Sequence, residues 1–309
     1  MNTQLNCMSE CFEAPVIASS AMSATRPLYW SVRREVWENR SVYVAPLAVA
    51  AVLLLAFLIA SIGKAVLTQD PAGKVAALSE PISFAATLLM LTAFIVGAIY
   101  CLDALHGERR DRSILFWKSL PSSDLTTVLM KASIPLLVLP LLCFVVVLAT
   151  QWVMLELSTL VLVMSGIRPA TLWAGLPLFQ MEVVLLHALT VLALQHAPIY
   201  CWLLLISGAA RRATILWTVL PPLAIGVGEN IAFHTSYFGS LLKDRLFGFA
   251  ADAFDLRAQG HVLTGPHFIS LTQLTPGKVL GSPGLWIGLG LAALFLAAAA
   301  RLRRYREPV

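Results

Sequence analysis

Residues 126–155 read TTVLMKASIPLLVLPLLCFVVVLATQWVML and carry one charged side chain, Lys131. The hydrocarbon core of a bilayer is about 30 Å thick, and about 20 apolar residues in a helix cross it. This stretch is therefore long enough and apolar enough to span a membrane. The whole chain has a similar character, because 58% of its 309 residues are hydrophobic, 13% are charged and the mean hydropathy is +0.79. Such a composition indicates an integral membrane protein and excludes a soluble enzyme, a disordered chain and a coiled coil.

Six apolar stretches of about this length occur along the chain. They are Val42–Leu67, Ile82–Leu105, Thr126–Leu155, Leu176–Ala210, Ala213–Phe233 and Gly284–Ala300. The sequence thus predicts an all-α, polytopic membrane protein with six transmembrane helices. Prolines in these stretches are candidate kinks, since neighbouring helices in a membrane satisfy the backbone groups that a proline frees. They are Pro46, Pro135, Pro140, Pro198 and the pair Pro221-Pro222.

The basic residues predict the orientation of these helices. Fifteen of the 22 Lys and Arg residues fall in the N-terminal segment, the loops after the second and fourth stretches, the C-terminal segment and, for Lys131, the start of the third stretch next to the second loop. Cytoplasmic segments of membrane proteins carry the excess of basic residues. We therefore expect both termini to be cytoplasmic in a multi-pass protein of the plasma membrane, here the bacterial inner membrane. The net charge of +5 follows this distribution and does not indicate a nucleic-acid partner.

The N-terminal segment divides into two parts. Residues 1–25 are polar and lack the pattern of a secretory signal, so we expect a cytoplasmic tail. Residues 26–41 place five apolar or aromatic side chains on one helical stripe, which predicts an amphipathic helix at the membrane interface. These five are Leu28, Tyr29, Val32, Val36 and Trp37. Two compatible interpretations stay open, a simple membrane anchor and an elbow against which a cytoplasmic partner also rests. The transmembrane domain then comprises residues 42–309.

The second cytoplasmic loop, residues 106–125, reads HGERRDRSILFWKSLPSSDL. It combines charges of both signs with a short apolar run that contains Phe116 and Trp117. A short amphipathic helix of this kind docks into a groove of another protein, or it lies among the lipid headgroups or against the protein itself. The residues alone leave these alternatives open. Within the loop, Asp124 is the predicted N-cap of the third transmembrane helix, and Glu108 and Arg109 are expected to be exposed, where ion pairs contribute only about 0–1 kcal/mol.

A longer motif includes this loop. It consists of Glu108-Arg109, Ser113, Leu120-Pro121-Ser122-Ser123 and finally Lys131. This pattern resembles the membrane subunits of ATP-binding-cassette (ABC) exporters of the type-2 permease family, and the six-helix layout extends the similarity. One departure is Arg112, which stands where the family usually has glycine. The resemblance implies that the loop carries a coupling helix that inserts into a cytoplasmic ATPase. The implied coupling residues are Glu108, Arg109, Arg112, Ser113, Phe116, Trp117, Leu120 and Pro121.

The resemblance also implies partners and a division of labour. Two copies of a cytoplasmic ATPase subunit would hydrolyse ATP with Mg²⁺, and this chain would pair with a second copy of itself or with a related permease. The chain has no G-x-x-x-x-G-K-[ST] motif, so we expect no enzymatic activity, cofactor or metal on it. Its expected task is to form the translocation pathway, in the lipid bilayer, for an exported amphipathic substrate of lipid-like, peptide or drug-like character.

The segment between the fifth and sixth helices, residues 234–283, is expected on the outer side. Its apolar side chains recur at helical spacing at Leu242 and Leu246 and again beyond them. The resemblance implies short re-entrant or capping helices here that form an outer gate. An amphipathic helix lying on the membrane surface is the alternative.

Ionisable residues in apolar helices are functional candidates because they are costly to bury. Glu182 in the fourth helix, and Glu229 and Asn230 at the end of the fifth, are therefore candidates for the pathway or gate, with a helix-terminal structural role as the alternative for Glu229. A proton-coupled secondary transporter that uses Glu182 and His187 is the rival function. These two residues are five positions apart, or about 140° around a helix, which does not favour a relay on one face. A membrane-embedded enzyme is a third and weaker possibility.

Overall fold

The computed structural model describes residues 25–67, 71–110, 123–175, 177–210, 212–248 and 274–305. The described residues form helices and no β-strand. In chain order the α-helices are α1 (Thr25–Glu38), α2 (Ser41–Leu67), α3 (Pro71–Arg110), α4 (Asp124–Ser133), α5 (Leu139–Met164), α6 (Ala170–Gly175), α7 (Leu178–Ala209), α8 (Thr214–Phe233), α9 (Tyr237–Phe247), α10 (Pro276–Gly281) and α11 (Pro283–Tyr305). A π-helical segment, Ile134–Val138, joins α4 to α5.

Among the described residues, six helices are long enough and apolar enough to cross a membrane, which confirms the six predicted stretches. The third of them is the continuous unit formed by α4, the π segment and α5. Two of the helices are longer than the apolar stretches that predicted them, since α3 has 40 residues and the third unit spans 41. At 1.5 Å per residue each is about 60 Å long, roughly twice the hydrocarbon thickness. Both therefore extend well beyond an apolar layer.

The π segment coincides with Pro135, one of the candidate kinks. Leu139 donates its backbone N–H to the carbonyl of Ile134, five residues earlier. A proline has no N–H, and its ring clashes with the carbonyl four residues before it, so a wider turn relieves the clash. The helices continue through Pro46, Pro198 and the pair Pro221-Pro222.

The start of α4 differs from the sequence prediction. Ser123, and not Asp124, is the N-cap, because its extended backbone lets its hydroxyl accept the N–H of Thr126 at 3.1 Å. Asp124 is the first helical residue, and its carboxylate is engaged with Arg303. The short serine side chain reaches the orphan N–H, which leaves the aspartate available for a tertiary contact.

Helix α7 is central to the packing, whereas α8 is peripheral. The main hydrophobic core joins α2, α3, the third helical unit and α7. The packing of α3 on α7 is close, since a Cβ added to Gly97 would lie 3.1 Å from the Tyr200 ring. In contrast, α8 has no buried residue in the single chain. Its apolar surface is left for lipid or for another protein chain.

Candidate functional site

Five ionisable residues from four helices meet at one end of the helix bundle. We call them the charge cluster: Glu35 of α1, Glu108 of α3, Asp124 and Lys131 of α4, and Arg303 of α11. Glu35 and Lys131 are only 3% and 2% exposed, although charged side chains are almost never fully buried without a partner. The burial indicates that pairing compensates the cost of removing these charges from water.

Lys131 lies at the centre of the charge cluster. Its Nζ atom is 2.7 Å from Oε1 of Glu35 and 3.1 Å from Oε1 of Glu108. The Tyr100 hydroxyl donates to the same Glu35 oxygen at 2.9 Å, and the side-chain amide of Asn39 donates to it at 3.3 Å. One lysine thus links α1 to α3 through two carboxylates.

Arg303 completes the charge cluster from the last helix. Its Nη1 atom donates to Oε2 of Glu108 at 2.7 Å, and its Nε atom lies 3.3 Å from Oδ1 of Asp124. Glu108 therefore has one oxygen beside Lys131 and the other beside Arg303. Because each carboxylate contacts a cation, the described contacts hold α1, α3, α4 and α11 together.

A second set of contacts fastens α3 to the end of α7. The guanidinium of Arg109 donates to the carbonyls of Gly208 at 2.9 Å and Ala210 at 3.5 Å. A cation at a helix C-terminus is stabilised by the partial negative charge of the unpaired carbonyls. The Ser207 hydroxyl accepts the backbone N–H of His106 at 2.9 Å. All of these contacts lie within one turn of the end of α3.

The charge cluster brackets the loop that the sequence analysis singled out. Residues 111–122 connect α3 to α4 and lie outside the described residues. Glu108 and Arg109 lie immediately before this loop, and Asp124 and Lys131 follow it. A displacement of the loop would therefore act directly on the buried ion pairs, since both of its ends are attached to them.

The expectation for Glu108 and Arg109 was wrong in one respect. Both are buried, with the side chain of Glu108 only 9% exposed and Arg109 6% exposed. Their contacts are tertiary, and the low dielectric of the site strengthens them beyond the value of surface ion pairs. The other predicted coupling residues lie outside the described residues, and their roles stay predictions. They are Arg112, Ser113, Phe116, Trp117, Leu120 and Pro121.

Sequence analysis missed Glu35, Tyr100 and Arg303. Glu35 follows Val32 by three residues, so it lies on the stripe that was assigned to the membrane surface. Val32 and Val36 do pack against the core, and Glu35 is buried beside them. An acidic residue on an apolar stripe was the available signal.

Arg303 gave a comparable signal at the opposite end of the chain. It lies four residues after Ala299 and eleven after Ala292, both buried, which puts it on the inward face of α11. Arg301 and Arg304 are exposed, although all three belong to one basic run. Helical periodicity therefore distinguishes Arg303, which is predicted to face inward, from Arg301 and Arg304, which are predicted to face outward.

Two of the three pathway candidates lie at the junction of α8 and α9. The carboxylate of Glu229 accepts the backbone N–H of Tyr237 at 2.7 Å and of Phe238 at 2.8 Å, and the Thr235 hydroxyl at 2.9 Å. It thus caps the first turn of α9, in agreement with the helix-terminal interpretation. Asn230 is exposed, and its backbone carbonyl accepts the N–H of His234.

The outer segment is described in two pieces, residues 234–248 and 274–283. Helix α9 carries Leu242 and Leu246 of the predicted stripe, and Arg245 donates from its guanidinium to the Gly284 carbonyl at the start of α11. This contact attaches α9 to the last membrane helix. The gating role of the segment stays a prediction.

The third pathway candidate, Glu182, lies in a cleft at the opposite end from the charge cluster. The cleft is formed by α3, α5 and α7, and its empty volume is about 340 Å³ including space open to solvent. Gln151 and Trp152 of α5 line it beside Glu182. The structure thus brings Glu182 together with a second polar side chain and an aromatic ring.

Among the described residues no group of three or more His, Cys, Asp or Glu side chains is arranged to hold a metal ion. In comparisons with known proteins, no family model, no curated protein and no solved structure matches this chain.

Proposed function

We propose that this chain is the permease subunit of an ABC exporter of the type-2 family, with ATP hydrolysis on a separate cytoplasmic subunit. One observation carries the proposal. Glu108 and Lys131, two charged residues of the motif, form a buried ion pair, and the third, Arg109, is buried against the end of α7, so that buried contacts flank both ends of the loop over residues 111–122. A loop that served only as a connection would not need buried charges at both ends, because such charges are costly to place.

The charge cluster gives the proposed coupling a physical route. An ATPase that pulls on the loop displaces Glu108 and Lys131, and through their ion pairs it displaces α1 and α11 as well. The π segment begins three residues after Lys131 and provides a weaker turn at which α4 pivots against α5. Closure of the ATPases would thereby tilt several helices together and switch the access of the pathway.

The assembly that we propose is a dimer of permeases with two ATPase subunits. Helix α8 supports it, because its 20 residues are predominantly apolar and none of them is buried in the single chain. The substrate pathway would then be enclosed between two copies, or between this chain and a related permease. An exported amphipathic or lipid-like substrate suits a pathway with apolar walls.

The proton-coupled alternative retains one supporting observation. Glu182 lies half-buried in the cleft and has neither a hydrogen bond nor an ion pair to another described residue, so it is not engaged in holding the described helices together. Transport by that route would depend on a proton gradient and would continue without any ATPase.

The test is purification of the chain from detergent together with candidate ATPase subunits. We expect an ATPase to co-elute with the wild type and to be lost from Trp117→Ala and Phe116→Ala, while the permease keeps its elution volume. Trp217→Ala is the matched control, because Trp217 is an exposed tryptophan on α8 and not part of the motif. The proposal would lose its main support if the two alanine substitutions left ATPase binding unchanged, or if no ATPase co-eluted with the wild type.

A further inference from the structure

We propose that the cleft around Glu182 binds organic cations that have an apolar body, such as amphiphilic ammonium or phosphonium ions. The cleft lies between α3, α5 and α7. If the proposed transport function is correct, this is a site for the exported substrate, although binding itself does not depend on an ATPase.

Charge is the first reason for a cationic ligand. Glu182 and Gln151 are half-buried in the cleft, and neither forms a hydrogen bond or an ion pair with another described residue. A carboxylate at the edge of an apolar layer attracts a cation strongly, because the effective dielectric there is lower than in water. The described carboxylates of the charge cluster already have cationic partners, whereas that of Glu182 does not.

The walls of the cleft supply the second reason. Trp152 lines it and lies against Trp173, with ring centroids 6.3 Å apart. Tryptophan faces attract cations, and the attraction suits alkylated ammonium groups because these are weakly hydrated. The apolar remainder of the lining consists of Ile82, Leu148, Leu155, Leu178 and Met181. A ligand with one positive charge and an apolar body therefore satisfies every kind of group in the cleft.

The position of the cleft fits an amphiphile. Gln151 and Lys131 are twenty residues apart on one helical unit, which corresponds to about 30 Å, the hydrocarbon thickness. A hydrocarbon layer with one boundary at the charge cluster would therefore have its other boundary at the cleft. A cationic amphiphile in the outer boundary layer has its charge at this depth and its apolar part in the bilayer.

The test measures equilibrium binding of tetraphenylphosphonium and tetraphenylborate to the full chain in lipid nanodiscs, with empty nanodiscs as the blank. The two ions have nearly the same size and shape and carry opposite charges. We expect the phosphonium to bind at least tenfold more tightly than the borate, with an affinity that falls as salt is raised. Equal binding of the two ions to the wild type would overturn the proposal without any variant.

Variants assign the binding to the cleft. Glu182→Gln keeps the shape of the side chain and is expected to weaken phosphonium binding about tenfold. Trp152→Leu should weaken it by about two- to fivefold, the value of one partly exposed cation–π contact. Glu156→Gln is the matched control, because Glu156 is an exposed glutamate of α5 that does not line the cleft. Unchanged binding in Glu182→Gln, or an equal loss in Glu156→Gln, would contradict the assignment.

The outcome is separable from that of the proposed function. Phosphonium binding that depends on Glu182, in a chain that never recruits an ATPase, would support the cation site and contradict the exporter function. Recruitment of an ATPase through Trp117, with no preference between the two ions, would support the exporter function and contradict the cation site.

Discussion

Charged residues are used in opposite ways at the two ends of this helix bundle. At the charge cluster, Glu35 and Lys131 are almost fully buried, and their atoms approach to 2.7 Å. At the cleft, Glu182 is half-buried and has no partner among the described residues. The paired charges have little capacity left for a ligand, and they hold four helices in one arrangement. The unpaired charge holds nothing in place and is available to bind.

This difference gives an expectation for mutation. Removal of one member of a buried ion pair leaves its partner uncompensated, which costs about 3–5 kcal/mol. Removal of a charge that has no partner costs little stability and changes binding. Stability and ligand binding are therefore expected to respond to different residues at the two ends.

The largest effect is expected from Lys131→Met, because both Glu35 and Glu108 then lose a cationic neighbour. We expect the free energy of unfolding to fall by about 3–5 kcal/mol, and the thermal midpoint in detergent to fall by roughly 10 °C. Fluorescence-detected size-exclusion chromatography after heating measures the midpoint. Lys243→Met, at an exposed lysine of α9, is the control and should leave the midpoint within about 1 °C of wild type. A similar midpoint for the two variants would contradict the role of Lys131.

Next in size is Glu35→Gln, for which α1 offers a matched control. Glu38 is the same residue type in the same helix, but its side chain is 49% exposed and pairs with Arg34 at the surface. In Glu35→Gln, Lys131 keeps Glu108 as a carboxylate partner, so its charge is not left uncompensated, and we expect the free energy of unfolding to fall by only about 1–3 kcal/mol. For Glu38→Gln we expect a fall of about 0–1 kcal/mol. The same thermal assay measures the midpoint of each variant. Added salt should reduce the effect of Glu38→Gln and leave that of Glu35→Gln unchanged. Equal effects would mean that α1 is not attached through Glu35.

A smaller and local effect is expected from Glu229→Ala, which removes the cap of α9. The backbone N–H groups of Tyr237 and Phe238 lose their acceptor, so the first turn of α9 should open more often. Hydrogen exchange followed by mass spectrometry should show faster exchange over residues 237–247 and little change elsewhere. Asn230→Ala is the control, because the side chain of Asn230 is exposed. Unchanged exchange over α9 would show that Glu229 does not hold it.

The smallest effect on stability is expected from Glu182→Gln. No described contact is lost, so the thermal midpoint should stay within about 1 °C of wild type. A decrease comparable with that of Glu35→Gln would show that Glu182 is a structural residue. The contrast between the two ends would then be lost.

The sequence was sufficient for the six membrane helices because a run of about 20 apolar residues has few other structures available to it. It was not sufficient for the ends of those helices. Residues 71–81 contain Lys74, Glu80 and Pro81 and carry no membrane signal, yet they are the first three turns of α3. Helical propensity and packing beyond the bilayer set these ends, and the hydropathy pattern does not report them.

The charge cluster shows the same limit more sharply. The motif includes Glu108 and Lys131, but no local sequence pattern indicated that these two residues are in contact. Arg303 follows Glu108 by 195 residues, so no local pattern could relate them either. Contacts between residues so far apart depend on how the helices pack. Periodicity within α1 and α11 does mark Glu35 and Arg303 as inward-facing, so a search for charged residues on apolar stripes would have found both.

The central claim, that residues 111–122 dock to an ATPase, is tested most directly by contact. A photo-crosslinking benzoylphenylalanine placed at position 117, and in a second variant at position 217, would be irradiated in intact membranes and the adducts identified by mass spectrometry. We predict that position 117 crosslinks to a cytoplasmic protein that contains a G-x-x-x-x-G-K-[ST] nucleotide-binding motif, and that position 217 does not. Adducts of position 117 with lipid or with this chain alone would contradict the claim.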